Sequence, residues 1–126
     1  MSLVRVLSGG AAAAVVRGVQ SRFEGLSLTG TIVRQPRLRH PVPVDRLMAL
    51  SGQTLRATRR RSKYLLLDFD GGTVMVHLGM SGALRVVDAA SPWQLHEHVQ
   101  FAFGQLALRL HDPRRFGSVD VLAPGF

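Results

Sequence analysis

The chain has 126 residues, enough for one domain around one packed core, and 46% of them are hydrophobic. Its net charge is +8 and fifteen of its sixteen basic residues are Arg, whose planar fork of donors matches phosphate oxygens, although a G- and C-rich genome would inflate Arg too. The absence of cysteine excludes disulfides, zinc–cysteine sites and thiol chemistry, and no stretch approaches the length of an apolar membrane span.

Residues 1–10 show no clear period. The opening is faintly like a secretion signal, but Gly9-Gly10 interrupts its apolar run and Arg17 closes it, so a cytoplasmic protein is expected. Ala11 to Phe23 reads as a helix, with Val15, Val19 and Phe23 at four-residue spacing and Gly25 past its end. Leu26 to Arg34 reads as a strand bent at Gly30. Pro36, Pro41 and Pro43 mark a loop that carries Arg37, Arg39 and His40, and Val44 to Ser51 reads as a short helix.

Strands follow at close spacing: Thr54 to Arg61, Lys63 to Phe69, Thr73 to Leu78 and Ala83 to Val87, with a turn at Asp70-Gly71-Gly72. Further on, His98 to Phe103 alternates, with Val99, Phe101 and Phe103 facing in and His98, Gln100 and Ala102 facing out. After Gly104-Gln105, Leu106, Leu108 and Leu110 face in and Ala107, Arg109 and His111 face out. Ser118 to Leu122 closes the series. Hairpins dominate, so the expected class is α+β, mainly β: an antiparallel β-sandwich with an N-terminal helix packed on or beside it. The domain is drawn at 11–126, with 1–10 as a separate leading segment.

Arg56, Arg59, Arg60, Arg61 and Lys63 fall within eight residues and run straight into Tyr64-Leu65-Leu66-Leu67. Charge attached to a buried strand suits a polyanion of fixed geometry, with nucleic acid the first candidate; a solubilising surface is the alternative. Lys63, the only lysine, is either a phosphate contact or, with a depressed pKa among cations, a nucleophile. Two loops share an unusual composition. Gly79-Met80-Ser81-Gly82 presents a methionine between glycines, and Arg114-Arg115-Phe116 sits between Pro113 and Gly117. A Met or Phe wedge beside Arg is one way to enter a base stack, and ordinary core packing is the other reading of both side chains. His96 and His98 would share one face of a strand and could meet a metal ion, but no third ligand is evident and phosphate contact is preferred. His77, inside an apolar strand, reads as a hydrogen-bonded core residue, and Asp112 as the partner of a neighbouring Arg.

Arg59 to Leu67, His77-Leu78-Gly79-Met80-Ser81-Gly82 and Asp112-Pro113-Arg114-Arg115-Phe116-Gly117 together resemble the N-terminal domain of formamidopyrimidine-DNA glycosylase, the bacterial enzyme that removes oxidised purines. Arg17-Gly18, Gly25 and Arg37-Leu38-Arg39 extend the match. The resemblance implies a β-sandwich bound across damaged double-stranded DNA in the cytoplasm, on the nucleoid. It makes Lys63 a phosphate contact at the lesion, with Arg115, His96 and His77 as further backbone contacts. Met80, Arg114 and Phe116 become the trio that enters the duplex and fills the vacated space. The family begins with a Pro-Glu-Leu-Pro-Glu stretch that supplies the attacking amine and the acid. Counted back from Arg17, Leu7, Ser8, Gly9, Gly10 and Ala11 stand there, so no catalytic residue is assigned. The family's helical half and zinc finger have no counterpart here, so no metal or cofactor is expected. A second copy of the chain is a candidate partner for the face that half would cover. The leading expectation is a DNA-binding domain without full catalysis. The alternatives are an active glycosylase/lyase completed elsewhere and a sandwich that binds another anion.

Overall fold

A computed structural model describes residues 5–8, 12–80 and 82–124. Two antiparallel sheets face each other. One holds five strands: β1 (Arg5–Ser8), β2 (Gly30–Val33), β6 (Ala83–Asp88), β7 (Glu97–Phe103) and β8 (Leu106–His111), in the spatial order β1-β6-β8-β7-β2. The other holds β3 (Ala57–Arg61), β4 (Tyr64–Phe69), β5 (Gly72–His77) and β9 (Ser118–Leu122), in the order β3-β4-β5-β9. The expected sandwich is the fold observed, and the apolar runs of β4 and β5 occupy the two inner positions of their sheet.

Period-two alternation fills the space between the sheets. Leu65, Leu67, Val74, Val76 and Val119 come from one sheet, and Leu84, Val86, Val99, Phe101, Leu108 and Leu110 from the other, in one continuous core. Helix α1 (Ala12–Phe23) adds Val15, Val19 and Phe23, with the Phe23 ring 5.1 Å from that of Phe103. The same helix seals the outer edge of β3. Gln20 Nε2 donates to the Thr58 carbonyl (2.9 Å), and Glu24 Oε2 accepts from the Thr58 N–H (3.0 Å), so the edge offers fewer free groups to another chain.

Four expectations need correction. Residues 5–8, which show no period, form β1 and pair antiparallel with β6, from Arg5 opposite Val86 to Ser8 opposite Ala83. Four residues carry too little pattern to announce a strand, and the partner edge supplies the order. The strands expected from Leu26 and from Thr54 both start late because residues 26–28 pair with 53–55 instead. Leu28 N–H donates to Gln53 O (2.8 Å), and Leu55 N–H to Leu26 O (2.9 Å). The helix expected to Ser51 is α2 (Val44–Met48), which buries Leu47 and ends in turns.

The fourth correction concerns the outer face of the five-stranded sheet. Alternation sends His98, Gln100, Ala107 and Arg109 outward, yet all four are buried. Segment 89–96 folds back over that face, so a sheet expected to be wet on one side is covered on both.

Candidate nucleic-acid interface

Register, not proximity in sequence, builds the site. Strands β5 and β9 pair with His77 opposite Ser118, so the loop leaving β5 and the loop entering β9 lie side by side. Their glycines permit the approach. Gly79 has φ of 64°, and a Cβ there would stand 3.4 Å from the Cβ of Phe116; a Cβ on Gly117 would stand 2.5 Å from the His77 carbonyl oxygen. Met80 is 100% exposed and Phe116 54% exposed, which removes the core-packing reading of both. Arg114 and Arg115 are exposed on the same loop, and Arg115 has φ of 56°. Met80 thus sits on one of two touching loops, and Arg114 and Phe116 on the other. Ser81 lies outside the described residues.

Beside these loops opens a cleft of about 550 Å³ between α1 and the four-stranded sheet. Its floor is apolar, with Val15, Val16, Leu65 and Val76, and its rim carries Arg39, Arg60 and Lys63. Met80, Phe116 and His77 complete the wall, and no carboxylate is among the described residues that line it. Lys63 is not in a strand as expected. It is exposed in the two-residue turn Ser62-Lys63 between β3 and β4, where Ser62 takes φ of 55°. His77 is half-buried at the end of β5 rather than in the core, and its ring lies 5.0 Å from that of Tyr64. Burial lowers its pKa, and the positive charges of Lys63 and Arg39 lower it further. The Gly79 N–H donates to His77 Nδ1 (3.1 Å), which leaves Nε2–H as the ring's donor.

The basic cluster does not act as one patch. Alternation along β3 sends Arg59 and Arg61 to one face and Arg60 to the other. Arg59 forms a two-pronged contact with Asp68 (2.6 and 3.0 Å), and Arg56 meets Asp70 at 3.1 Å. That hydrogen bond from Arg59 is the main cause that holds the Asp68 carboxyl below its ordinary range. Arg60 and Lys63 alone of the five line the cleft, joined there by Arg39 from the distant Pro-rich loop, a residue that sequence reading did not single out as a site.

Asp112 is another correction. Rather than pairing with an Arg, it is fully buried, and its Oδ2 accepts from the Gly117 N–H (2.8 Å). Its main chain meets the other loop of interest: Asp112 N–H donates to His96 O (3.0 Å), and Asp112 O accepts from His98 Nε2 (2.7 Å). His96 and His98 do not share a strand face. His96 precedes β7 with φ of 67° and is exposed, a bulge separates Glu97 from Val99, and the His98 ring is committed to Asp112. The rings of His96 and His98 stand 6.4 Å apart, and no group of three metal-ligating side chains able to hold an ion occurs among the described residues.

Sequence reading missed a buried charged network behind this loop. Arg85 and Arg109 sit opposite each other on β6 and β8, a like-charge pair that would repel. Glu97 lies between them, with Oε2 on Arg85 (2.5 Å) and Oε1 on Arg109 (3.5 Å). Arg109 is 0% exposed and also donates to Gln100 Oε1 (2.7 Å) and to the carbonyls of Ala89, Ser91 and Pro92. Its guanidinium carbon lies 4.7 Å from the Trp93 ring centroid. Four of the five acceptors held by this side chain lie in segment 89–97 and pin it, and with it the approach to His96. No signal in a strand that alternates Leu with Ala, Arg and His marks this Arg as interior.

A family model described as the formamidopyrimidine-DNA glycosylase N-terminal domain matches residues 12–119. The chain belongs to the formamidopyrimidine-DNA glycosylase family. It is 57% identical over 103 residues to the formamidopyrimidine-DNA glycosylase of Aromatoleum aromaticum, a match that covers 82% of this chain and 38% of that protein. To the Cellvibrio japonicus enzyme it is 49% identical over 102 residues, covering 81% and 38%. Among solved structures it resembles the Lactococcus lactis glycosylase non-covalently bound to DNA containing an AP site, with TM-score 0.81 and 26% identity over 88% of this chain and 43% of that one. A complex of that organism's glycosylase with an abasic-site DNA gives TM-score 0.81 and 27% identity, covering 88% and 41%. The chain thus spans well under half the length of the family members it matches. Where the family's Pro-Glu-Leu-Pro-Glu stretch would fall, Leu7 and Ser8 are strand residues paired with Leu84 and Ala83. Gly9, Gly10 and Ala11 lie outside the described residues.

Proposed function

We propose that this domain grips damaged double-stranded DNA at the Lys63 end of the sandwich, as the N-terminal half of a base-excision glycosylase does. The observation that carries the reading is the pairing of two exposed apolar tips, Met80 and Phe116, with a cleft whose rim is cationic and whose described lining holds no carboxylate. Lys63, with Arg39 and Arg60, meets phosphates, and His77, His96 and Arg115 add backbone contacts. Met80 and Phe116 part the stack, and Arg114 fills the vacated space. By itself the chain lacks full catalysis in this reading, since the positions for the family's amine and acid begin inside β1. It works in the cytoplasm, on the nucleoid. No described helix is long and apolar enough to cross a membrane. A second copy of the chain is a further candidate partner, for the face that the family's other half would cover, which light scattering at micromolar concentration reads directly.

Fluorescence anisotropy with matched duplexes tests the reading. A duplex with an abasic analogue should bind more tightly than the intact one, because the stack is already broken there, and Phe116→Ala should erase the difference. Equal affinity for both duplexes, untouched by Phe116→Ala, would refute it. Borohydride trapping on oxidised-guanine DNA should give no covalent adduct, and an adduct would overturn the assignment of no catalysis.

A further inference from the structure

Four hydrogen bonds converge on Asp112. Its Oδ2 accepts from the Gly117 N–H (2.8 Å), at the end of the loop that carries Arg114 and Phe116. Its carbonyl accepts from His98 Nε2 (2.7 Å) and from the Arg115 N–H (3.2 Å). Its own N–H donates to the carbonyl of His96 (3.0 Å). The Gly117 carbonyl in turn accepts from the N–H of Arg39 on the cleft rim (3.1 Å). A residue 0% exposed therefore stands where the histidine loop, the wedge loop and the cleft rim meet.

We propose that Asp112 is the positioning residue of the wedge: its carboxylate, by holding the Gly117 N–H, fixes the angle at which Arg114 and Phe116 project, while its main chain anchors His96 independently. This rests on the DNA-binding reading above and assigns within it a role to a residue that touches no nucleotide. Burial is what gives the contact its hold. A carboxylate that accepts a backbone N–H away from water makes a stronger bond than a neutral acceptor, and loss of that acceptor leaves the N–H unpaired. The neighbourhood also leaves the loop no slack. A Cβ on Gly117 would stand 2.5 Å from the His77 carbonyl oxygen and 2.9 Å from Asp112 Oδ2, so the turn has one seat.

The two functions of the surface then separate by substitution. In Asp112→Ala the three main-chain bonds persist and only the carboxylate contact goes. The expected result is a slope of log affinity against log salt that changes by no more than about 0.9, one phosphate's worth. Meanwhile the fluorescence rise of a 2-aminopurine placed beside the abasic analogue, which reports unstacking, falls at least fivefold. Asp112→Asn keeps an oxygen for Gly117 and should restore most of that signal. Gly117→Ala, which displaces the same turn from the other side, should lose the signal as Asp112→Ala does, and it serves where Asp112→Ala does not fold. Full unstacking by Asp112→Ala or by Gly117→Ala would overturn the proposal, as would a loss in Asp112→Asn equal to that in the alanine variant. A parent chain with no salt-dependent binding would instead overturn the DNA-binding reading itself.

Discussion

Arg109→Ala is the sharpest test of how the histidine loop is held. Arg109 is 0% exposed, lies beside Glu97 at 3.5 Å, and supplies donors to Gln100 and to three main-chain carbonyls of segment 89–92. Burial opposes its charge, and Glu97 offsets that opposition. Truncation leaves Glu97 with the Arg85 guanidinium and the Gln94 N–H, and strips Gln100 Oε1 and the carbonyls of their donor. Removing one partner of a buried ion pair costs about 3–5 kcal/mol. For a domain of this size each kcal/mol moves the melting temperature by roughly 4 °C. A drop of about 12–20 °C in scanning calorimetry is therefore expected. The exposed pair Arg56–Asp70 is the control: Arg56→Ala should cost at most about 1 kcal/mol. If Arg109→Ala melts within about 4 °C of the parent, the network does not hold the fold in the way the distances indicate.

Two further predictions concern pH. The Asp68 carboxyl is held below its unfolded value of about 3.9, chiefly by the hydrogen bond from Arg59. Its contribution to stability is present above that value and is lost as pH falls through the lowered folded one. The urea midpoint of the parent should accordingly fall faster below pH 4 than that of Asp68→Asn, and parallel acid limbs would contradict this. His77 is depressed by burial, then by Lys63 and Arg39, so its contribution is complete above about pH 6.5 and declines as pH drops through the folded pKa below it. His77→Gln should flatten that part of the stability curve, and an unchanged slope between pH 6.5 and 5 would show that the ring is not held neutral.

Much of the frame was legible. Alternation and turn chemistry placed the strands from Ala57 onward within a few residues, because each hairpin is closed by residues next to it in sequence. The wedge loops were legible as compositions, glycine around Met80 and Pro–Gly around Phe116, and their contact followed once β5 paired with β9. What could not be read depends on pairing at long range. Strand β1 is ordered by β6, more than seventy positions away in sequence. Arg109 looks solvated in an alternating strand until segment 89–96 covers it. The run from Arg56 to Lys63 looks like one patch until the pleat of β3 and two carboxylates divide it, leaving Arg60 and Lys63 to meet Arg39 at the cleft. Proximity in sequence offers Asp112 an Arg partner, whereas the buried turn gives it a backbone N–H instead.

The cationic rim is tested most directly by the salt dependence of duplex binding, measured for the parent and for Lys63→Ala. The parent should lose affinity steeply between about 50 and 200 mM salt, and the variant should bind more weakly with a slope shallower by about 0.9, whatever the duplex sequence. Affinity flat in salt, or a slope that Lys63→Ala leaves unchanged, would contradict the assignment of this surface to phosphate.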